Sequence, residues 1–572
     1  MAHDQLEDRR LQAPSGFRFL RLRTQSGLGR HPVLAATAIL TAAIVIMPVI
    51  AIIVIALSSS NGDWPHLVSN VIPRATVRTL LLLAGVSLAT TVTGVITAWL
   101  VASCEFPLRR LMSGLLVLPL AIPSYIAAYA FAEFFSFTGP VQSLLRALFG
   151  FHSSRDYWFP EIRTTGGAVV VLASVLYPYI YLAARSMFLM QGRTAADVAR
   201  TLGAGPLSVF AKVQIPMARP AIMVGLTLVS METLNDIGAV EYLGVQTLTF
   251  SIFDTWLNRG SLAGAAQIAC VMLLFIALLL VVERTARRQQ RFASQKTTAA
   301  VHDPVRLKLA GWKRWAATTF CIIPPFLGFA VPIFVLGGYA VHRLDQFLSF
   351  RLLSALWHSI IISASTACVA VTLAFVLSYA TRTTRSPLTF AAGRLASFGY
   401  GVPGTVLAMG VLIPLAGFDN SLDAMLRETF GISTGLLLSG SGLAIIYACT
   451  VRFLTMAEGT IDAGFNKLSP HLDMASRTLG RTSSQTLLTV LLPMMRPATL
   501  TAVLLVFIES MKELSATIML RPFNFNTLAT LVYEDASRAK VEDASVAAVI
   551  IIAAGLIPVF LVSRSLDQSS HP

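Results

Sequence analysis

The sequence predicts an all-α polytopic membrane protein with about twelve transmembrane helices, arranged as two parallel six-helix repeats. Three observations predict it. Hydrophobic residues make up 55% of the chain and charged residues 13%, with a mean hydropathy of +0.69, whereas soluble domains average about 25% charged residues. Apolar runs recur along the whole length. A polar, basic phrase between two such runs is written twice, 277 positions apart: Arg200–Gly203 (Arg-Thr-Leu-Gly) followed by Pro216–Ala221, then Arg477–Gly480 followed by Pro493–Ala498. A repeat of that length marks two copies of one structural unit.

A bilayer core of about 30 Å takes about 20 apolar residues in a helix. Runs of that kind fall at 33–57, 79–101, 111–134, 166–188, 221–241 and 262–282, and again at 318–340, 355–379, 391–415, 436–457, 499–519 and 544–563. The expected organisation is a tail (1–32), a first six-helix repeat (33–283), a basic linker (284–317), a second repeat (318–565) and a short tail (566–572). The polar, Arg-rich start has no short apolar core with a cleavage site, so the first span reads as a retained anchor. With the N-terminus inside, the Lys/Arg-rich connections, above all 284–314, face the cytoplasm. The net charge of +15 is therefore read as cytoplasmic loops and not as nucleic-acid binding. An even number of spans per half makes the repeats parallel, related by a pseudo-twofold axis along the membrane normal.

Both copies of the phrase fall between the fourth and fifth spans of their half. Residues 194–202 favour helix, Gly203 and Gly205-Pro206 break it, and a second short helix, 207–215, is expected to end at Pro216. The element is expected to present an apolar edge (Leu202, Val209, Phe210, Val213) to a partner groove.

This loop resembles the EAA loop of ATP-binding-cassette importer permeases, which has an acidic-Ala-Ala start, a central Gly and a Pro about thirteen residues on. Near 194–220 the matching positions are Asp197, Ala199, Arg200, Gly203, Phe210 and Pro216; near 471–497 they are Ala475, Arg477, Gly480 and Pro493. Asp197 replaces the usual Glu and Val198 the first Ala. In the second copy Met474 takes the acidic position, with Asp473 one residue early, and Leu487 stands where Phe210 does. Further stretches, Glu232–Gly260, Tyr400–Gly404 and Lys512–Thr530, look like the iron(III) importer permeases in their fused two-repeat form. The resemblance implies a MetI-like type I importer fold in a bacterial plasma membrane, with both termini cytoplasmic. It implies alternating access driven by a separate cytoplasmic ABC ATPase, in two copies, which binds ATP and Mg, and substrate delivered by an extracytoplasmic binding protein. The chain has no G-x-x-x-x-G-K-[ST] phosphate loop of its own, so no enzyme activity and no cofactor are expected in it. Aminoethylphosphonate, thiamine and sulfate-type anions are the alternative substrates within the class. An ion-coupled secondary transporter is the alternative outside it.

The fifth and eleventh spans carry charge. Glu232 and Asp236 correspond, under the same offset, to Glu509 and Glu513, with Lys512 between the latter two. Spacing i, i+4 puts each pair on one helix face. Intramembrane charges cost about 2.5–3.5 kcal/mol each on insertion scales and are expected to face the bundle interior. The carboxylates read equally as a translocation path or gate and as an ion-pair network fixing the helices. A tight metal site is not expected, because conduction requires weak binding. Pro48 matches Pro325 and Pro123 roughly matches Pro403, which suggests static kinks. The outer stretches 135–165 and 416–435 are long enough to touch a binding protein. Cys104, Cys270, Cys321, Cys368 and Cys449 lie in or beside apolar runs and read as packing residues. Gly431–Gly435 fits G-x-S-x-G but lacks the strand–turn–helix context of a hydrolase.

Overall fold

The computed structural model describes residues 32–58, 62–190, 198–288, 306–384, 386–396, 399–469 and 471–568. Ten helices among them are long and apolar enough to cross a membrane, and two further pairs are sharply bent, giving up to twelve spans. In chain order the first half comprises α1 (Pro32–Ala56), α2 (Trp64–Ser103), the bent pair α3 (Arg109–Ala121 with Ser124–Phe134), α4 (Thr165–Met190), α5 (Pro206–Asn235) and α6 (Leu262–Arg288). The second half comprises α7 (Trp312–His342), α8 (Phe350–Thr384), α9 (Gly404–Phe430), α10 (Gly442–Lys467), the bent pair α11 (Leu487–Met494 with Arg496–Met511) and α12 (Val541–Gln568).

The offset of 277 extends beyond the loops. Added to Thr165 and Met190 it gives the first and last residues of α10, Gly442 and Lys467. The packing repeats as well: α2 packs on α4 as α8 packs on α10, and α5 on α4 as α11 on α10. The first helix of each half crosses over. α1 packs on α8, on α9 and on the short helix Pro387–Ala396, while α7 packs on α2, α3 and α4. Two glycines permit this: a Cβ on Gly410 of α9 would stand 2.3 Å from the Pro48 carbonyl oxygen, and one on Gly328 of α7 would stand 2.1 Å from that of Ser174. The end of the linker is tied to the first half, since Leu307–Lys308 pairs in parallel with Cys104–Glu105.

Several expectations need correction. Pro216 does not end a helix; α5 runs through it. A five-residue π turn, Phe210–Gln214, ends immediately before Ile215-Pro216. The same device precedes Ile72-Pro73, Val331-Pro332 and Leu492-Pro493. Proline lacks an N–H and its ring crowds the carbonyl four residues back, and the wider i→i+5 turn changes the hydrogen-bond register there. Pro123 and Pro403 are not mere kinks. Each sits extended (φ −58°, ψ 142° and φ −59°, ψ 144°) at the start of a new helix, and at Pro123 the chain turns by 99°. Residues 416–430 continue α9 instead of forming an outer loop. The fifth span ends at Asn235 and the eleventh at Met511, earlier than hydropathy suggested.

Candidate functional site: a charged cavity on the axis between the repeats

The early end of α5 and α11 decides where the carboxylates go. Asp236 is extended (φ −72°, ψ 112°) at the C-cap of α5, and Glu513 lies two residues beyond Met511. In the first half Asp236 still lies one turn beyond Glu232, its amide bonded to the Glu232 carbonyl (3.1 Å), whereas in the second half Glu513 lies past the helix end and no longer follows Glu509 on one face. In each half the second carboxylate caps the turn that follows: Asp236 Oδ1 accepts from the Ala239 amide (2.8 Å), and at the equivalent position Glu513 Oε1 accepts from the Ala516 amide (2.8 Å). Side-chain oxygens satisfying the free amides of a helix start are the usual N-terminal cap.

All five predicted charged residues line one cavity of about 90 Å³, room for about three waters at about 30 Å³ each. Its wall contains matched positions from the two halves: Val175 and Arg452, Leu176 and Phe453, Glu232 and Glu509, Asn235 and Lys512, Asp236 and Glu513, Gly238 and Ser515. Every pair is separated by 277 residues, so the cavity lies on the pseudo-twofold axis. Ser124, Tyr125 and Tyr179 complete its polar lining.

The two sides differ. Lys512 Nζ meets Glu509 Oε1 at 2.8 Å. Glu513 is almost wholly buried, holds Arg452 at 3.0 Å, and accepts further from the Thr517 amide (3.0 Å) and hydroxyl (2.6 Å). On the first-half side Glu232 accepts from the Tyr400 hydroxyl (2.7 Å). Asn235 joins the halves, its Oδ1 taking the Gly404 amide (2.7 Å) and its carbonyl the Ser515 hydroxyl (3.0 Å). Sequence reasoning missed Arg452 and Tyr400 as members of the site. A lone arginine inside the run 436–457 was the available signal, since such a residue needs a partner.

The repeated loops match in geometry. Gly203 and Gly480 adopt left-handed φ (+87° and +84°). The next amide bonds five residues back in each copy, Ala204 N to Ala199 O (3.0 Å) and Arg481 N to Ser476 O (3.2 Å), the Schellman ending that glycine favours. Leu202 and Leu479, just before the glycines, are each 82% exposed. The expected apolar edge changes membership: Val209 is buried and Phe210 packs on Trp99 (4.6 Å between ring centroids), while Leu202, Val198 and Leu207 face out. Ala475 and Pro493 are exposed, whereas Ala199, Arg200 and Pro216 are half-buried. Asp197 lies outside the described residues, as does the side chain of Arg477.

Comparisons with known proteins give one answer. The family described as binding-protein-dependent transport system inner membrane component matches twice, at residues 65–291 and 384–571. The chain is 27% identical over 493 residues to the Fe(3+)-transport system permease protein FbpB 2 of Haemophilus influenzae, covering 85% of this chain and 88% of that one. It is 26% identical over 265 residues to the probable sulfate transport system permease protein cysT of a Helicosporidium species, covering 44% of this chain and 94% of that one. It is 28% identical over 202 residues to the molybdenum transport system permease protein ModB of Escherichia coli K12, covering 34% and 84%. Two matches to the family, one in each half, correspond to the two sets of helices and to the two equivalent loops. The chain belongs to the binding-protein-dependent transport system inner membrane components, as a multi-pass transport subunit carrying both repeats in one polypeptide.

Proposed function

We propose that this permease passes iron(III), and that the axial cavity is a closed section of its path. The cavity wall carries the reading. It holds four carboxylates against one arginine and one lysine, a formal excess of two negative charges, and no histidine or cysteine. Carboxylate and phenol oxygens suit hard cations and not soft ones, and a negative wall disfavours sulfate or molybdate. The full-length similarity to a relative named for Fe(3+) transport supports the same choice. The relatives named for sulfate and molybdenum align with less than half of the chain.

Movement through the cavity is driven from outside the chain. Two copies of a cytoplasmic ATPase, which bind ATP and Mg, dock on the exposed leucines beside Gly203 and Gly480, and their closure switches the halves between outward- and inward-open states. The chain hydrolyses no ATP itself. An extracytoplasmic binding protein delivers the substrate, with both termini of the permease in the cytoplasm and residues 135–165 on the opposite side.

The test is radio-iron uptake in cells expressing the chain with its genomic partners, beside labelled sulfate and molybdate and beside a Gly203→Asp/Gly480→Asp variant shown to reach the membrane. Iron uptake lost in the variant is expected. Uptake of sulfate or molybdate in place of iron refutes the substrate, and equal iron uptake by both chains refutes the coupling role of the loops.

A further inference from the structure

The two sides of the cavity are equivalent in position but not in charge balance. On the second-half side each carboxylate has its own cation, Glu509 with Lys512 and Glu513 with Arg452. The matching first-half positions of those cations are Asn235 and Val175, both neutral and both in the wall. Glu232 and Asp236 accept hydrogen bonds from neutral donors, the Tyr400 hydroxyl and the Ala239 amide, and share only at longer range the charge of Arg452, which Glu513 already holds at 3.0 Å. Asp236 is 7% exposed, and its second oxygen has only the Ser124 hydroxyl beside it; the Tyr125 phenol, 4% exposed, makes no hydrogen bond. A buried polar atom without a partner costs free energy, and a buried carboxylate without a counter-charge costs more. A buried phenol without a partner and two carboxylates without a cation in contact, on one side of a wall with two more negative than positive charges, make a surface suited to a cation.

We infer that the two sides divide the work. Glu232, Asp236 and Tyr125 form a transit subsite for a bare, hard trivalent cation, while Glu509–Lys512 and Glu513–Arg452 hold the opposite wall in shape. The inference rests on the cation-permease reading above. Among the described residues no three His, Cys, Asp or Glu side chains cluster as a metal site. The subsite is thus a two-carboxylate and phenol contact that binds weakly, as passage requires.

The probe is terbium(III), a hard trivalent ion whose emission is excited through a neighbouring phenol, added to the purified permease–ATPase complex in nanodiscs. Gallium(III) serves as the competitor. Glu232→Gln and Asp236→Asn are each expected to weaken the gallium-displaceable signal at least fivefold, and Tyr125→Phe to lower its intensity. Glu509→Gln/Lys512→Gln, which removes a neutral pair, is expected to change affinity less than twofold. No displaceable signal in the unaltered complex, an unchanged signal in Asp236→Asn, or equal loss in the Glu509/Lys512 variant overturns the subsite. The function reading fails separately: terbium held at these residues without iron uptake by cells refutes iron(III) as substrate and leaves the subsite standing. Iron uptake with terbium binding indifferent to Asp236 does the reverse.

Discussion

Removal of the Arg452 side chain tests whether the second-half wall is structural. The pair is enclosed, with Arg452 8% and Glu513 1% exposed at 3.0 Å. Taking one partner from a buried pair typically costs about 3–5 kcal/mol, because the other charge stays buried. Glu513 keeps three donors after the loss, the Ala516 amide and the Thr517 amide and hydroxyl, so Arg452→Met is expected at the low end, about 3 kcal/mol. In Arg452→Met/Glu513→Gln the stranded charge is gone and the amide oxygen still caps the following turn, so at least half of that loss is expected back. The assay is equilibrium unfolding of all four members of the cycle in mixed micelles, which isolates the coupling between the two residues. An Arg452→Met protein within about 1 kcal/mol of the unaltered chain, or a double variant whose loss is the sum of the singles, refutes the assignment of the pair to the architecture of the wall.

Three further outcomes follow from the same geometry. Leu202→Asp/Leu479→Asp removes two exposed leucines and is expected to leave thermal stability unchanged while abolishing co-purification with the ATPase; retained co-purification refutes the docking role. Gly410→Ala forces a Cβ to 2.3 Å from the Pro48 carbonyl and is expected to destabilise by about 1–3 kcal/mol, whereas Gly417→Ala in the same helix, with nothing within 4 Å, is neutral or stabilising; equal stability of the two refutes the close crossing of α1 over α9. In the 150–160 loop the backbone amides of Ser153 and His152 hold the Asp156 carboxyl below its usual range. A depressed native pKa contributes order above the unfolded value, near 4, and loses it as pH falls through the native value. Hydrogen-exchange protection of those two amides should therefore fall only in acid below about pH 4, and protection that is already lost above that pH contradicts it.

Much of the fold is written in the sequence, and the exceptions have physical reasons. The helices of the spans are legible from hydropathy, and the duplicate phrase supplies an offset that holds for both ends of the fourth and tenth spans. Hydropathy fails at Asn235 and Met511, because apolar residues continue past the helix end: Ile237 to Val240 and Leu514 to Ala516 are buried though the helix has stopped. What stops it is a carboxylate capping the next turn, a local competition that an average over twenty residues hides. The crossing of α1 to the other half was not legible either, since that helix is apolar all round (mean hydropathy 3.0) and names no face. The convergence of Glu232, Asp236, Glu509, Lys512 and Glu513 is prefigured by their matching offsets, and the i, i+4 spacing holds for Glu232 and Asp236 but not for Glu509 and Glu513, because α11 ends at Met511. The two sets meet because the helices end beside each other on the axis.

The placement of charge constrains how the axis opens. Both ion pairs lie within the second half: Lys512–Glu509 is local to the end of α11, and Arg452–Glu513 ties α10 to the turn after α11. The links that cross between halves at the cavity are hydrogen bonds, Tyr400 to Glu232, Gly404 to Asn235 and Ser515 to Asn235. Separating the halves leaves these two ion pairs intact, weakens the longer-range attraction of Arg452 for Glu232 and Asp236, and breaks hydrogen bonds worth about 0.5–1.5 kcal/mol each, or about 1.5–3 for the one to a carboxylate. The same separation frees Glu232 from Tyr400. In the proposed transport cycle equivalent loops with the same glycine geometry would receive the same push in both halves, but the wall would respond unequally: the second-half side carries its ion pairs with it, and the first-half side turns Glu232 and Asp236 toward the cavity.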